Sequence, residues 1–319
     1  MVALAQMRDR TARSFRISQI VWPEIAILLL AFAIQIPIVL NADLGWLLTV
    51  AERMLAGAKL GEDILELNPP LSVLMYMPAA YLGTLLPIPA HIFVIIMVLA
   101  GVVGSTNLTL KALDTTDWEE GSFKRARLVL FAVFALVPGM TFAQREHIAL
   151  LAMAPFVALA AAHASQRLAQ SPNTLRLAVG ICGGFAMCIK PHFVFMAGLP
   201  LLWAAWRCRS IRPLLGLEGW LAAAIVMAYF GTSFLVFPDY FTVYPRWAAV
   251  AYLPLRMAPS FFYAVPVLTV FAAIAFLLHL TCGRNPAQWA GATPWILAAL
   301  GGFLSYVLQG KGFPYMRLP

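Results

Sequence analysis

Three carboxylates and several cations interrupt a chain that is otherwise strongly apolar. Asp43 follows the first apolar run. Glu66 and Asn68 stand directly before Pro69 and Pro70 in "ELNPPLSVLMYMPAAYLG", and Arg145, Glu146 and His147 break the apolar sequence of "TFAQREHIAL". Lys190 and His192 do the same in "KPHF", Tyr244 and Arg246 in "FTVYPRW", and Gln309 and Lys311 in "QGKGFPY". A carboxylate so placed can accept a proton from an attacking hydroxyl. Cations near it can hold a departing phosphate, and they stabilise growing charge best where water is scarce. Together these are the requirements for moving a sugar from a polyprenyl phosphate to an acceptor hydroxyl. The lipid tail would lie between helices and the sugar outside them.

Composition says what must position these groups. Of 319 residues, 62% are hydrophobic and 11% are charged, and the mean hydropathy is +0.83. A soluble domain is nearer half apolar and a quarter charged. Several apolar runs approach the ~20 residues that a membrane-spanning helix needs, so the chain reads as an integral, multi-pass membrane protein. The net charge of +8 resides mostly in short loops between apolar runs. That distribution follows the positive-inside rule, so membrane lipid is the expected surrounding and no nucleic-acid partner is implied. Cys182, Cys188, Cys208 and Cys282 show neither C-x-x-C nor metal-ligand spacing, so neither disulfides nor a zinc site are expected, and the need for a divalent metal is left open. No cofactor is expected either, a lipid-linked sugar being a co-substrate.

The expected fold is all-α: a polytopic transmembrane bundle of about nine spans. Residues 1–19 form a basic, cytoplasmic N-terminus, and 20–319 the membrane module. Span 1 covers about 20–40, uncleaved because its apolar stretch is long and lacks a small-residue cleavage site. The first outer loop, 41–89, carries two interfacial helices. In the first, Leu47, Val50, Met54 and Leu55 face one way, against Thr49, Glu52, Arg53 and Lys59. The second begins at Pro69-Pro70, where a helix start tolerates the missing N–H groups. Span 2 runs about 90–110, and spans 3 and 4 about 126–142 and 147–163. The stretch 175–206 reads either as one over-long helix burying Lys190 or as two short spans turning at "KPHF"; the hairpin is the less costly arrangement. Span 7 is expected at about 218–236, a loop at "FPDYFTVYPRWAAVAYLPLRMAPS", span 8 at about 261–280 and span 9 at about 294–308. In the C-terminal half, Arg207, Arg209, Arg212 and Arg284 inside balance Arg246, Arg256, Lys311 and Arg317 outside, so orientation there rests on the hairpin.

"DLGWLLTVAERMLAGAKLGEDILELNPPL" resembles the first outer loop of the polytopic GT-C glycosyltransferases. More narrowly, it is similar to the branch holding protein O-mannosyltransferases and the lipid A aminoarabinose transferase. The resemblance implies that Asp43 is the catalytic base. It also implies that Asn68, Pro69, Pro70 and Leu71 form the branch's (Lys/Asn)-Pro-Pro-Leu motif, with Asn where Lys is common. "QREHIAL", "KPHF" and "QGKGFPY" look like bacterial members of the group, which implies a bacterial inner membrane. The donor would be a polyprenyl-phosphate monosaccharide and the acceptor a glycan, lipid or protein hydroxyl. Family members continue well past "YMRLP", so the resemblance implies a truncated or fragmentary chain. Met316 stands where the family has histidine.

Each residue has a plainer reading beside this one. Asp43 can be an interfacial charge at a helix end, and Glu66 a cap of the Pro-Pro helix. Arg145 and Glu146 can pair with each other, and Lys190 can snorkel to the interface. Trp46, Tyr76 and Tyr252 read as belt aromatics, and the glycines of "GICGG" as permitting close helix packing. The alternatives to a transferase are a transporter or flippase for a lipid-linked or polyol substrate, and an inactive truncated fragment. A transporter would place ionisable groups inside spans. Glu24 and Gln35 are the nearest candidates.

Overall fold

The computed structural model describes residues 22–38, 41–113, 119–165, 171–254 and 286–310, with a few isolated positions between 274 and 283. Expected span 8, Arg256, Lys311, Met316 and the basic N-terminus lie outside the described residues. Those described are helical, with no strand among them. In chain order the helices are α1 (Trp22–Gln35), α2 (Ala42–Leu55), α3 (Leu71–Leu74), α4 (Met77–Leu85), α5 (Ala90–Ala112), α6 (Glu120–Ala135), α7 (Arg145–Ala164), α8 (Asn173–Ile189), α9 (Val194–Cys208), α10 (Leu217–Val236), α11 (Pro238–Tyr252) and α12 (Pro286–Gln309).

Four of these are long and apolar enough to cross a membrane: α5, α7, α10 and the Gly291–Gln309 part of α12. They give the chain its membrane character. Helices α1, α6, α8 and α9, expected as spans, are shorter at 14 to 17 residues. Helix α7 is the axis of the bundle. Its apolar window is 83% buried inside the protein, against 11% for α10, and it packs on α5, α8, α9 and α12. Helix α10 instead lines the rim and leans on α8. Small residues permit that approach: a Cβ at Gly180 would sit 2.8 Å from the Glu218 carbonyl oxygen, and one at Gly184 would sit 2.9 Å from Ile225. The glycines of "GICGG" therefore do the packing work expected of them.

Residues 41–89 fold as an amphipathic helix followed by a broken one. In α2, Leu44, Leu47, Leu48 and Ala51 are buried at i, i+3, i+4 and i+7, while Thr49, Glu52 and Arg53 are exposed. Leu47 and Val50 take the face the sequence predicts, but Leu55, in the fraying last turn, is exposed. Asn41 caps the start, its side-chain oxygen accepting from the Asp43 N–H at 3.0 Å. The Pro-Pro helix begins at Leu71 as expected and then breaks. Helix α4 restarts at Met77, with Pro78 in its first turn where no N–H is needed.

One expectation changes. The stretch after span 7 is not an open loop, for α11 occupies Pro238–Tyr252. Pro238 and Asp239 in its first turn supply a pre-set φ and a favourable charge at the positive helix end. At "KPHF" the chain does break, Lys190 being extended at φ −146 and ψ 117. The separated helices α8 and α9 each lie along α7 and make little contact with one another.

Buried charges within the bundle are paired. Glu24 of α1 meets Arg127 of α6 at 3.0 Å, and Gln35 donates to the Gly139 carbonyl at 3.0 Å. At the far end of α7, Glu218 accepts from His163 at 2.6 Å and Arg176 at 2.8 Å, joining α7, α8 and α10.

Candidate functional site

The site is built where the chain enters α7. Ala143, just upstream, has φ 63, a left-handed conformation that non-glycine residues rarely hold. Hydrogen bonds pin it from both sides. Tyr76 Oη donates to the Ala143 carbonyl at 2.8 Å, and the Ala143 N–H donates to His147 Nδ1 at 3.1 Å. The second His147 nitrogen, Nε2, lies 2.8 Å from the Phe134 carbonyl. A ring accepting at Nδ1 and facing a carbonyl at Nε2 is the neutral tautomer protonated on Nε2. Thus Tyr76, between α3 and α4, together with α6 and α7 fixes the turn that delivers Gln144, Arg145 and Glu146.

These three residues are almost wholly buried, at 1%, 1% and 0% exposure. Charge buried to that degree must be paired. Arg145 Nη2 donates to Asp43 Oδ2 at 2.7 Å, and the Asp43 side chain remains 19% exposed. Its Oδ1 makes no hydrogen bond among the described residues. Glu146 Oε1 is paired with Lys190 Nζ, which also donates to Gln309 Oε1 at 3.1 Å. The two ion pairs lie within electrostatic reach of each other. Together they form a charge-balanced row linking α2, α7, the α8–α9 break and α12. Arg145 Nε and Nη1, both amide atoms of Gln144, and Glu146 Oε2 are buried without a partner among the described residues.

A second polar group lies beside Asp43's helix. Glu66 is filled from within the protein. Its Oε2 accepts from Trp46 Nε1 at 2.6 Å, and its Oε1 accepts from the Asn68 N–H at 2.7 Å and from Asn68 Nδ2 at 2.6 Å. Trp46 sits three residues after Asp43, on the same side of α2. The strip after Glu66 is tied down as well: the Leu71 N–H donates to Tyr229 Oη at 3.0 Å, and Tyr240 Oη reaches the Leu67 carbonyl at 3.5 Å. Gly61, at φ 93, lets the loop tuck against α11, where any Cβ would collide with the Asp239–Tyr240 backbone. On α11, Tyr244 is half-buried against the same core, and burial raises its phenol pKa, which keeps the hydroxyl protonated. Arg246 is exposed, with no ion pair among the described residues.

The structure thus joins Asp43 to Arg145, Glu146 to Lys190 and Gln309, and Glu66 to Asn68. Arg145 and Glu146 do not pair with each other, and Lys190 does not snorkel. His147 faces backbone. His192 sits half-buried in the turn after Lys190, its carbonyl accepting from Ser305 Oγ at 2.7 Å. Lys311 lies outside the described residues. Tyr76, read as a belt aromatic, is 2% exposed and holds the α7 turn. Trp46 is half out of the protein but spends its N–H on Glu66. Gln144 escaped the sequence reading, although "QREH" contains it; its signal was an uncharged polar residue ahead of a buried charged pair.

Comparison of the chain with protein-family models, with curated proteins and with solved structures returns no match.

Proposed function

We propose that the chain is a glycosyltransferase of the multi-pass membrane type, moving a monosaccharide from a polyprenyl-phosphate donor to an acceptor hydroxyl on a glycan, lipid or protein. The observation that carries this reading is Asp43. One of its oxygens is fixed by a buried arginine, the other is uncommitted, and the group is partly open. That is the posture of a general base. In the reaction, Oδ1 takes the acceptor hydroxyl proton as the oxygen attacks the anomeric carbon, and the bond to the phosphate breaks. As a single displacement, this inverts the anomeric centre.

Within that reading the phosphate falls to Arg246 rather than Lys190. Lys190 is neutralised by Glu146 and held by Gln309, whereas the Arg246 guanidinium is exposed and unpaired among the described residues. Glu66 and Asn68 shape the wall beside Asp43 by fixing Trp46, and Tyr244 offers a hydroxyl from α11. The finer topology belongs to the same proposal: about nine spans, a cytoplasmic N-terminus, a site on the outer face and a bacterial inner membrane.

A transporter or flippase draws support from the buried Glu24–Arg127 pair. That pair joins two helices without an uncommitted group of the kind Asp43 offers, so the transferase is the stronger reading. The test is incubation of membranes containing the chain with labelled polyprenyl-phosphate monosaccharides. Label moving to a lipid, glycan or protein fraction supports the transferase. Label crossing the bilayer unchanged supports the flippase.

A further inference from the structure

We propose that the turn joining α9 to α10, with the residues that flank it, is a binding site for the phosphate headgroups of anionic phospholipids. Three contacts fix its depth. Helix α7, long and apolar enough to cross a membrane, ends at Ala164, and His163 sits one residue before that end. Cys208 Sγ donates to the His163 carbonyl at 3.2 Å, and Glu218 Oε1 lies 2.6 Å from His163 Nε2. Glu218 is the second residue of α10, which is also long and apolar enough to cross. A Cβ at Gly216 would overlap the Glu218 carboxylate, so the end of the turn is pressed onto the same level. Both flanks are thus tied to the point where two spans stop, which is the boundary between membrane and water.

The turn is tightly made. Arg209 closes α9 in a left-handed conformation at φ 49, its N–H donating to the Trp206 carbonyl at 3.1 Å, and the Ser210 N–H donates to the Ala205 carbonyl at 3.0 Å. What remains outside is of two kinds. Arg207, Arg209 and Arg212 are exposed and make no ion pair among the described residues. Glu218 is the sole carboxylate in the sequence between Glu146 and Asp239, and it is buried and bonded to His163 and Arg176. Interspersed with the arginines are Trp206, Ile211, Leu215 and Trp220, each more than half exposed. Trp206 stacks on Trp203 with 4.8 Å between ring centroids. Apolar side chains exposed at that density need cover, and aromatic ones at a membrane boundary find it between headgroups and acyl chains. Cations without counterions at that depth meet the lipid phosphate layer, and a guanidinium matches a phosphate with paired N–H donors. An anionic lipid satisfies both kinds of group at once. A zwitterionic lipid covers the apolar residues but brings its own cation, so the site discriminates by net charge.

The test reconstitutes the full chain in phosphatidylcholine bilayers with increasing fractions of a brominated lipid, which quenches tryptophan fluorescence on contact. Subtracting the signal of Trp206→Phe isolates Trp206. Brominated phosphatidylglycerol should reach half-quenching at a mole fraction about fivefold or more below that of brominated phosphatidylcholine, the value of one arginine at an anionic surface. The triple variant Arg207→Gln, Arg209→Gln, Arg212→Gln should bring the two lipids level. Its quenching by brominated phosphatidylcholine should match that of wild type, because the apolar contacts remain. Equal quenching by both lipids in wild type overturns the proposal and leaves the arginines merely solvated. Absence of quenching by either lipid places Trp206 outside the bilayer and overturns it as well. A preference for phosphatidylglycerol that survives in the triple variant overturns the assignment to these arginines. The wild-type comparison decides by itself should the triple variant fail to fold.

Discussion

Arg145 Nη2 lies 2.7 Å from Asp43 Oδ2, joining residues 102 positions apart in sequence. The arginine comes from the head of the most buried helix, and the aspartate from the first turn of an amphipathic one. The arginine side chain is 2% exposed and the aspartate side chain 19%. The pair therefore connects the interior of the bundle to its edge.

That relationship makes Arg145 a positioning residue for the base. Arg145→Lys keeps the charge but not the planar guanidinium that fixes the carboxylate. Sugar transfer should fall about tenfold to a hundredfold, the scale of a modest misplacement of a reacting group. Initial rates at saturating donor measure this, and an unchanged rate would remove the positioning role.

The Glu146–Lys190 pair is more deeply buried and predicts a stability effect. Glu146→Gln leaves the Lys190 charge buried without its counterion, at a cost of about 3–5 kcal/mol. Adding Lys190→Met should recover most of it, because replacing both members of such a pair is often near neutral. Thermal unfolding of single and double variants in detergent measures the coupling. A double variant as unstable as the single would show that the lysine is not the cause.

Glu66 gathers three hydrogen bonds, from Trp46 and Asn68. In Glu66→Leu the indole N–H loses its acceptor and the 66–70 strip its anchor. Amide hydrogen exchange across residues 59–70 should rise about tenfold or more, matching charge-assisted bonds of about 1.5–3 kcal/mol. Unchanged exchange would mean that Tyr229 and Tyr240 alone hold the strip.

Glycine contacts give a paired prediction for α12. A Cβ at Gly301 would overlap the Phe195 backbone carbonyl, which no side-chain rotation relieves, whereas Gly104 on α5 has open space. Gly301→Ala should destabilise by about 1–3 kcal/mol through overpacking. Gly104→Ala should stabilise by up to about 1 kcal/mol through helix propensity. Equal melting shifts would mean that α9 and α12 are not in close contact.

Much of the architecture was legible in the sequence because its signals are local. The amphipathic helix that buries Leu47 and Val50, the Pro-Pro helix start and the glycines of "GICGG" each act within a turn or two, or on a single neighbouring surface. The polar residues themselves were also visible, since charge within apolar sequence is conspicuous. Their pairing was not. Arg145 and Glu146 looked like mutual partners because they are adjacent, yet successive helical residues diverge, and each found its partner on another element. Tyr76 looked like a belt aromatic because nothing in its neighbourhood reveals the Ala143 carbonyl 67 residues away. Helix α11 was missed because Tyr, Thr and an internal Pro245 lower helix propensity. Its packing through Tyr240 and Tyr244 outweighs that.

The most direct measurement is sugar transfer in membranes from a panel of polyprenyl-phosphate monosaccharides, comparing wild type with Asp43→Asn. Wild type should transfer from at least one donor. The variant should keep its melting temperature within a degree or two and lose about a hundredfold to ten-thousandfold in rate, the usual contribution of a general base. Equal transfer by the two proteins would contradict the account at its centre.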